Sequence, residues 1–278
     1  MKKRDYDKEF CALLDQFAYR YSKWQIWNDF LNLSAISLAN VLPGPESENR
    51  EKQYLSIIES YEEKDQEVFP KLLELVVRAL EENPEQDFLG SLYHHLELQQ
   101  EQKGQFFTPY YISEFMSNIQ FVAQDADAEL KKKGYISVND PACGAGAMLV
   151  AFANMAKKHG INYQKHVLFV AQDIDRTAAM MCYIQLSLLG CPAIVIIGDS
   201  LSKPLYHQDN EIWYTPFFYL NQWRFMPRQE EKELSDHVEA DCTEDIKDAK
   251  NTADNQLQDL GLLEGADGQL MLRVGQAS

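Results

Sequence analysis

Residues 135–148 read YISVNDPACGAGAM. The stretch opens as a β-strand ending in Asp140. A tight loop follows, Pro141-Ala142-Cys143-Gly144-Ala145-Gly146, and then an apolar helix begins. Glycines in such a loop let the backbone approach a ligand and open the helix N-terminus toward it. The loop is not a dinucleotide fingerprint, because position 149 is leucine where a third glycine is needed. It is not a P-loop either, because no Gly-Lys-Ser/Thr follows.

Working outward, residues 104–226 alternate between strand and helix. HVLFVAQDID (166–175) reads as a second strand, RTAAMMCYIQLSLLG (176–190) as a helix and AIVIIGDSL (193–201) as a third strand. WYTPFFYLNQW (213–223) reads as a fourth strand. Alternation of this kind predicts a parallel sheet with helical crossovers. The first three strands each end in an acid: Asp140, Asp173 and Asp199. Acids at one sheet edge suit the amino and hydroxyl groups of a nucleoside ligand. Each can also be a plain helix or turn cap.

Residues 1–98 read as helical throughout. Phe10, Leu13, Leu14, Phe17 and Tyr21 fall on one helix face, and Pro43-Gly44-Pro45 and Asn83-Pro84 mark breaks. The six aromatics between Phe17 and Phe30 suit a bundle core better than a binding surface. Residues 227–278 are acidic and lack a hydrophobic period, which predicts a partly disordered tail. Between Glu230 and Glu264 stand 12 acidic residues against three lysines, about half of the chain's net charge of −17. The fold class is therefore α/β. A helical domain (1–98) precedes a Rossmann-like domain (99–226) with a mostly parallel sheet, complete or truncated, and then the tail (227–278).

Composition excludes several classes. The 278 residues hold five cysteines, with no C-x-x-C pair. This argues against a disulfide framework and against a zinc site, and no metal is expected. A basic start with no apolar run behind it is not a signal peptide, and no apolar stretch is long enough to span a membrane. These features place the protein in the cytoplasm. The acidic balance gives no basic face for autonomous DNA binding.

Four ordered motifs, GQFFTP (104–109), NDPACGAGAML (139–149), AQDID (171–175) and GDSL (198–201), resemble those of the DNA adenine-N6 methyltransferases. The likeness is strongest to the methylation subunit of type I restriction-modification systems, and it covers about residues 85–226. The resemblance implies a Rossmann-like fold that binds S-adenosylmethionine and transfers its methyl group to adenine N6 in DNA. Gly104 to Pro109 would cross over the cofactor, with Phe107 on its apolar parts and Thr108 and Pro109 at the methionine end. Asp140 would receive the amino group, and Ala142, Gly144 and Gly146 would line the site. Asp173 would bind the ribose hydroxyls and Asp199 the adenine amino group. DNA, within a complex, and a specificity or restriction subunit are the implied partners; no membrane is.

The family carries N-P-P-[FY] after its fourth strand. There the Asn side chain and the next carbonyl accept the target amine's hydrogens, and the aromatic stacks on the flipped base. This chain has FFYLNQWRF (217–225) instead. Asn221 stands in the Asn place, and Gln222 and Trp223 replace the prolines that would stiffen the loop. Asn221, Gln222 and Trp223 are the candidate catalytic residues, with transfer expected to be impaired. An inactive module that regulates or blocks a restriction-modification complex remains an alternative, as does a methyltransferase acting on a small molecule.

Overall fold

The computed structural model describes residues 4–17, 20–42, 44–96, 107–220 and 223, with the backbone of 262–264 and 270–272. The chain divides into two units, Met1–Phe225 and Met226–Ser278. In the first, three strands pair in parallel and in sequence order: β1 (Ile136–Asp140), β2 (Val167–Asp173) and β3 (Ala193–Ile197). Every residue of β2 before Asp173 is buried, as expected of a strand covered on both faces. Helix α9 (Ala147–Lys158) joins β1 to β2 with the short α10 (Tyr163–His166), and α11 (Arg176–Leu188) joins β2 to β3.

The fourth strand departs from expectation. β4 (Glu211–Tyr214) is short and pairs antiparallel with β3. A parallel return needs a crossover of a dozen or more residues, usually helical. The intervening 198–210 segment holds only turns, so the chain simply reverses. Gln172, buried at the end of β2, fixes this segment: its Nε2 donates to the Lys203 carbonyl (2.9 Å) and its Oε1 accepts from Leu205 N–H (2.9 Å). The apolar run after Tyr214 is not strand but helix α12 (Pro216–Leu220). Proline lacks the N–H a ladder needs and suits the first turn of a helix.

Thr215 closes the ladder just before it. Its backbone N–H donates to the Ala193 carbonyl, and its Oγ1 accepts from Ala193 N–H (2.8 Å) and donates to the Cys191 carbonyl (2.7 Å). Thr215→Val should therefore cost about 1–3 kcal/mol of unfolding free energy, because two backbone groups lose a buried partner. Chemical denaturation measures it, and a loss below about 0.5 kcal/mol would show that the strand end closes without the hydroxyl.

The helical layer consists of α1 (Tyr6–Asp15), α2 (Lys23–Ala39), α3 (Ser47–Ile58), the short α4 (Glu63–Gln66), α5 (Val68–Glu82) and α6 (Phe88–His95). Asp5, Ser22 and Asp87 cap α1, α2 and α6 through side-chain acceptors. Phe10, Trp27 and Phe30 are buried edge to face, with centroids 5.3–5.9 Å apart from Phe10, so these aromatics are core. Buried residues from Phe10 to Trp213 belong to a single hydrophobic cluster, so the core runs unbroken across position 98. Helix α2 packs on α11, where Thr177 Oγ1 donates to Asn28 Oδ1 (2.8 Å).

Two helices lead into β1, α7 (Tyr110–Gln120) and α8 (Ala123–Lys133), parted at Phe121-Val122. Helix α8 ends in the left-handed Gly134 behind Lys131, Lys132 and Lys133, whose charges oppose the negative helix end. In the second unit β5 (Leu262–Glu264) pairs antiparallel with β6 (Leu270–Leu272). The expected disorder of the acidic tail otherwise falls outside the described residues.

Candidate functional site

The loop after β1 is held by backbone hydrogen bonds to β2. Cys143 N–H donates to the Gln172 carbonyl (3.0 Å), and Gly144 N–H donates to Asp173 Oδ2 (2.8 Å). Gly144 and Gly146 both adopt positive φ, +54° and +93°, which side-chain-bearing residues seldom do. Contact adds a second requirement. A Cβ at position 144 would stand 2.8 Å from the Phe107 ring, and one at 146 would stand 2.8 Å from Cys182 Sγ. The sequence placed glycine where two close approaches meet.

Phe107 lies over Gly144 and is wedged between Tyr93 and His94, with centroids 5.4 and 5.6 Å away. Pro109 ends this crossing by capping α7. Beneath it a cavity of 380 Å³ opens beside the end of β1. That volume lies in the range of small-molecule sites. Phe107, Thr108, Asp140, Ala142 and Gly144 line it, as do Asp87, Asn139 and Met148.

Asp140 Oδ1 accepts from Ala142 N–H (3.2 Å). Burial pushes its carboxyl up, the Ala142 N–H opposes the rise, and the Asp173 charge adds to it. Asp173 stands behind the loop and is not among the cavity residues. Oδ2 holds Gly144, and Oδ1 accepts from Asp175 N–H (2.8 Å). Burial raises this carboxyl too, against those N–H groups. Each oxygen keeps a further lone pair. Gly146 supports the first turn of α9 from below, accepting from Val150 N–H (2.9 Å).

Asp199 sits in its own turn, accepting from Leu201 N–H (3.0 Å) and Ser202 Oγ (2.7 Å). The Ser202 hydroxyl and the Leu201 N–H lower its carboxyl. It does not line the cavity. Asn221 and Gln222 fall outside the described residues, as do Gly104 to Phe106. Trp223 is 1% exposed, with its ring edge against Tyr135 at 5.0 Å.

Asp87 and Asn139 were not found from the sequence. Asn139 directly precedes Asp140, and its buried Oδ1 accepts no hydrogen bond among the described residues. Asp87 reads locally as a helix cap, and only the tertiary fold brings it to the cavity. The wall thus holds two carboxylates, an orphan acceptor and the Phe107 and Phe152 rings, and among the described residues no lysine, arginine or histidine. Such a wall suits a ligand that carries positive charge, as S-adenosylmethionine does at its sulfonium and ammonium groups.

Among the described residues no group of His, Cys, Asp and Glu could hold a metal ion, and no helix is long and apolar enough to cross a membrane.

Comparison with known proteins bears on the same segment. The chain matches the N-6 DNA methylase family over residues 85–253. No curated protein matches it. Among solved structures it is similar to a Listeria monocytogenes protein assigned as a class I S-adenosylmethionine-dependent methyltransferase. Identity is 17% and the TM-score 0.36, over 71% of this chain. The match spans 54% of that protein, about half its length. The family match takes in the Phe107 crossing, the glycine loop and all three strand-end acids, and the chain belongs to the N-6 DNA methylase family, whose cofactor is S-adenosylmethionine.

Proposed function

We propose that the cavity beneath Phe107 binds S-adenosylmethionine and that the chain serves methyl transfer to adenine N6 in DNA, as one part of a restriction-modification assembly. The observation that carries this reading is the seat of Phe107 on Gly144, which roofs the acid-lined cavity at the end of β1. Bound there, the cofactor supplies an electrophilic methyl group on a sulfonium. Thr108 and Asp140 hold the methionine end, and Phe107 covers its apolar parts. Asp173 shares its remaining lone pairs with the ribose hydroxyls while keeping Gly144 in place. Ala142 and Gly144 keep the wall thin, Gly146 lets the loop pack on Cys182 behind it, and Pro109 fixes the direction of the crossing. Asp199 is the proposed acceptor for the adenine amino group; reaching it requires the ligand to extend past the cavity residues.

For transfer, Asn221 and the Gln222 carbonyl would accept the two hydrogens of the target amine, aiming its lone pair at the methyl group. The cofactor would supply the methyl group, and the part of Asn221 and the Gln222 carbonyl would be to hold the amine toward it. A DNA partner would be gained through a specificity or restriction subunit, because the chain is strongly acidic. A cytoplasmic setting fits the four described cysteines, all free thiols.

A second reading is favoured by one observation. Trp223 is buried and packed against Tyr135, so its ring has no open face to offer a base. A cofactor-binding module with impaired transfer, acting on a restriction-modification complex, accounts for that placement.

The test is direct. Purified chain is expected to bind S-adenosylmethionine in calorimetry and to move labelled methyl into unmethylated duplex DNA at least about 100-fold more slowly than chemistry with an intact amine-binding loop allows, the loss of one preorganised donor or acceptor being worth that much. Fast adenine methylation by the chain alone, abolished by Asn221→Ala, would overturn the impaired reading. Absence of cofactor binding would overturn both readings.

A further inference from the structure

Asp87 belongs to the helical layer, yet it is buried in the wall of the cavity, 4% exposed. Its Oδ1 accepts from Gly90 N–H (2.9 Å) and from Gln185 Nε2 (2.8 Å). Both of these hydrogen bonds fall on the one oxygen, Oδ1. A Cβ at position 90 would stand 2.0 Å from the other oxygen, Oδ2, so glycine at 90 is what gives the carboxylate its room. Gln185 also donates to the Ala145 carbonyl (2.8 Å), which ties Asp87 to the glycine loop on the other side.

Capping α6 does not explain a full negative charge here. A serine or asparagine caps as well and avoids the cost of burying an ion. Burial does push this carboxyl up, and the Gln185 and Gly90 donors oppose the rise. His94 lies close enough to favour the anion, but it does not line the cavity. Among the described residues the charged side chains that do line it are Asp87 and Asp140, two anions with no basic partner in the wall. Two anions call for positive charge in the ligand. S-adenosylmethionine brings two cationic groups against one carboxylate.

We propose, building on the cofactor reading above, that Asp87 is a cofactor-binding residue supplied by the helical layer, its carboxylate facing one of the two cationic groups at the methionine end of S-adenosylmethionine. The layer then completes the site rather than merely supporting it. Asp140 and Asp87 divide the positive charge between them, and Gln185 sets the Asp87 carboxylate and the loop at one spacing.

The experiment compares two ligands by calorimetry on the full chain: S-adenosylmethionine, and neutral 5′-methylthioadenosine, which shares the nucleoside but carries neither cation. Asp87→Asn keeps the cap and removes the charge. It should weaken S-adenosylmethionine by about tenfold or more and leave 5′-methylthioadenosine within about twofold. Retained affinity for S-adenosylmethionine, or an equal loss for both ligands, would overturn the proposal while leaving the cofactor reading intact. Asp140→Asn gives an independent measurement should the first variant not fold. With Asp87 still charged, it should keep a preference for S-adenosylmethionine of at least about tenfold, and loss of that preference would assign the charge reading to Asp140 alone. Wild-type chain that binds neither ligand would overturn the cofactor reading and this proposal with it.

Discussion

Gln185→Leu is expected to lower the unfolding free energy by about 3–5 kcal/mol, the range for breaking a buried polar network around an ion. Gln185 is fully buried on α11. Its Oε1 accepts from Leu89 N–H (3.1 Å), and its Nε2 donates both to Asp87 and to the Ala145 carbonyl. Leucine nearly conserves volume, so the loss would not come from an empty space. It would come from three groups left short of a partner: an N–H, a carbonyl and a carboxylate. Each such loss costs about 1–3 kcal/mol in a dry interior, and the three are not independent. The measurement is urea denaturation of the two proteins side by side. A change under about 1 kcal/mol would mean that water or a rotated neighbour replaces the amide. Gln185→Glu should be worse than leucine, because it sets a second carboxylate against Asp87.

Asp173→Ala is the second large effect, and it should appear in binding more than in folding. The proposed ribose contacts would be lost, weakening S-adenosylmethionine by about 1.5–3 kcal/mol, or roughly 10- to 150-fold. The carboxylate also fixes the loop, through Gly144 N–H on one oxygen and Asp175 N–H on the other. Its removal frees the residue on which Phe107 rests, so the roof of the cavity loosens together with its wall. Thermal unfolding separates the two consequences. A variant that keeps its midpoint and loses affinity supports a role at the ligand, and unchanged affinity with an intact fold removes Asp173 from the site.

Much of the architecture could be read locally. A strand that alternates or is wholly apolar, a cap and a helix each write their period into consecutive residues. The three parallel strands, α9 and α11 therefore stand where the pattern put them. Gly144 and Gly146 were legible for the same reason, since left-handed backbone is a local demand that only glycine meets cheaply. WYTPFFYLNQW misled because an apolar run carries no sign of strand direction, and because its proline ends the ladder instead of sitting at its edge. Direction was decided by Gln172 and Thr215, whose partners are distant in sequence, while Asn210 holds the turn itself through the Lys203 and Leu205 carbonyls. Gly198 shows how tight that turn is, since a Cβ there would stand 2.0 Å from Asn210 Oδ1.

By itself, then, the sequence determined the α/β class, the order of the elements, the glycine loop and the acids at the strand ends. Only the tertiary structure decided which acids share a cavity. It brought in Asp87 from the helical layer, set Asp173 behind the loop as its anchor, left Asp199 in a turn of its own and turned Trp223 into the core. The reason is physical. Backbone conformation is set by neighbours along the chain, whereas burial, charge pairing and the walls of a cavity are set by neighbours in space, and a residue such as Asp87 looks like a helix cap until the fold shows what it faces.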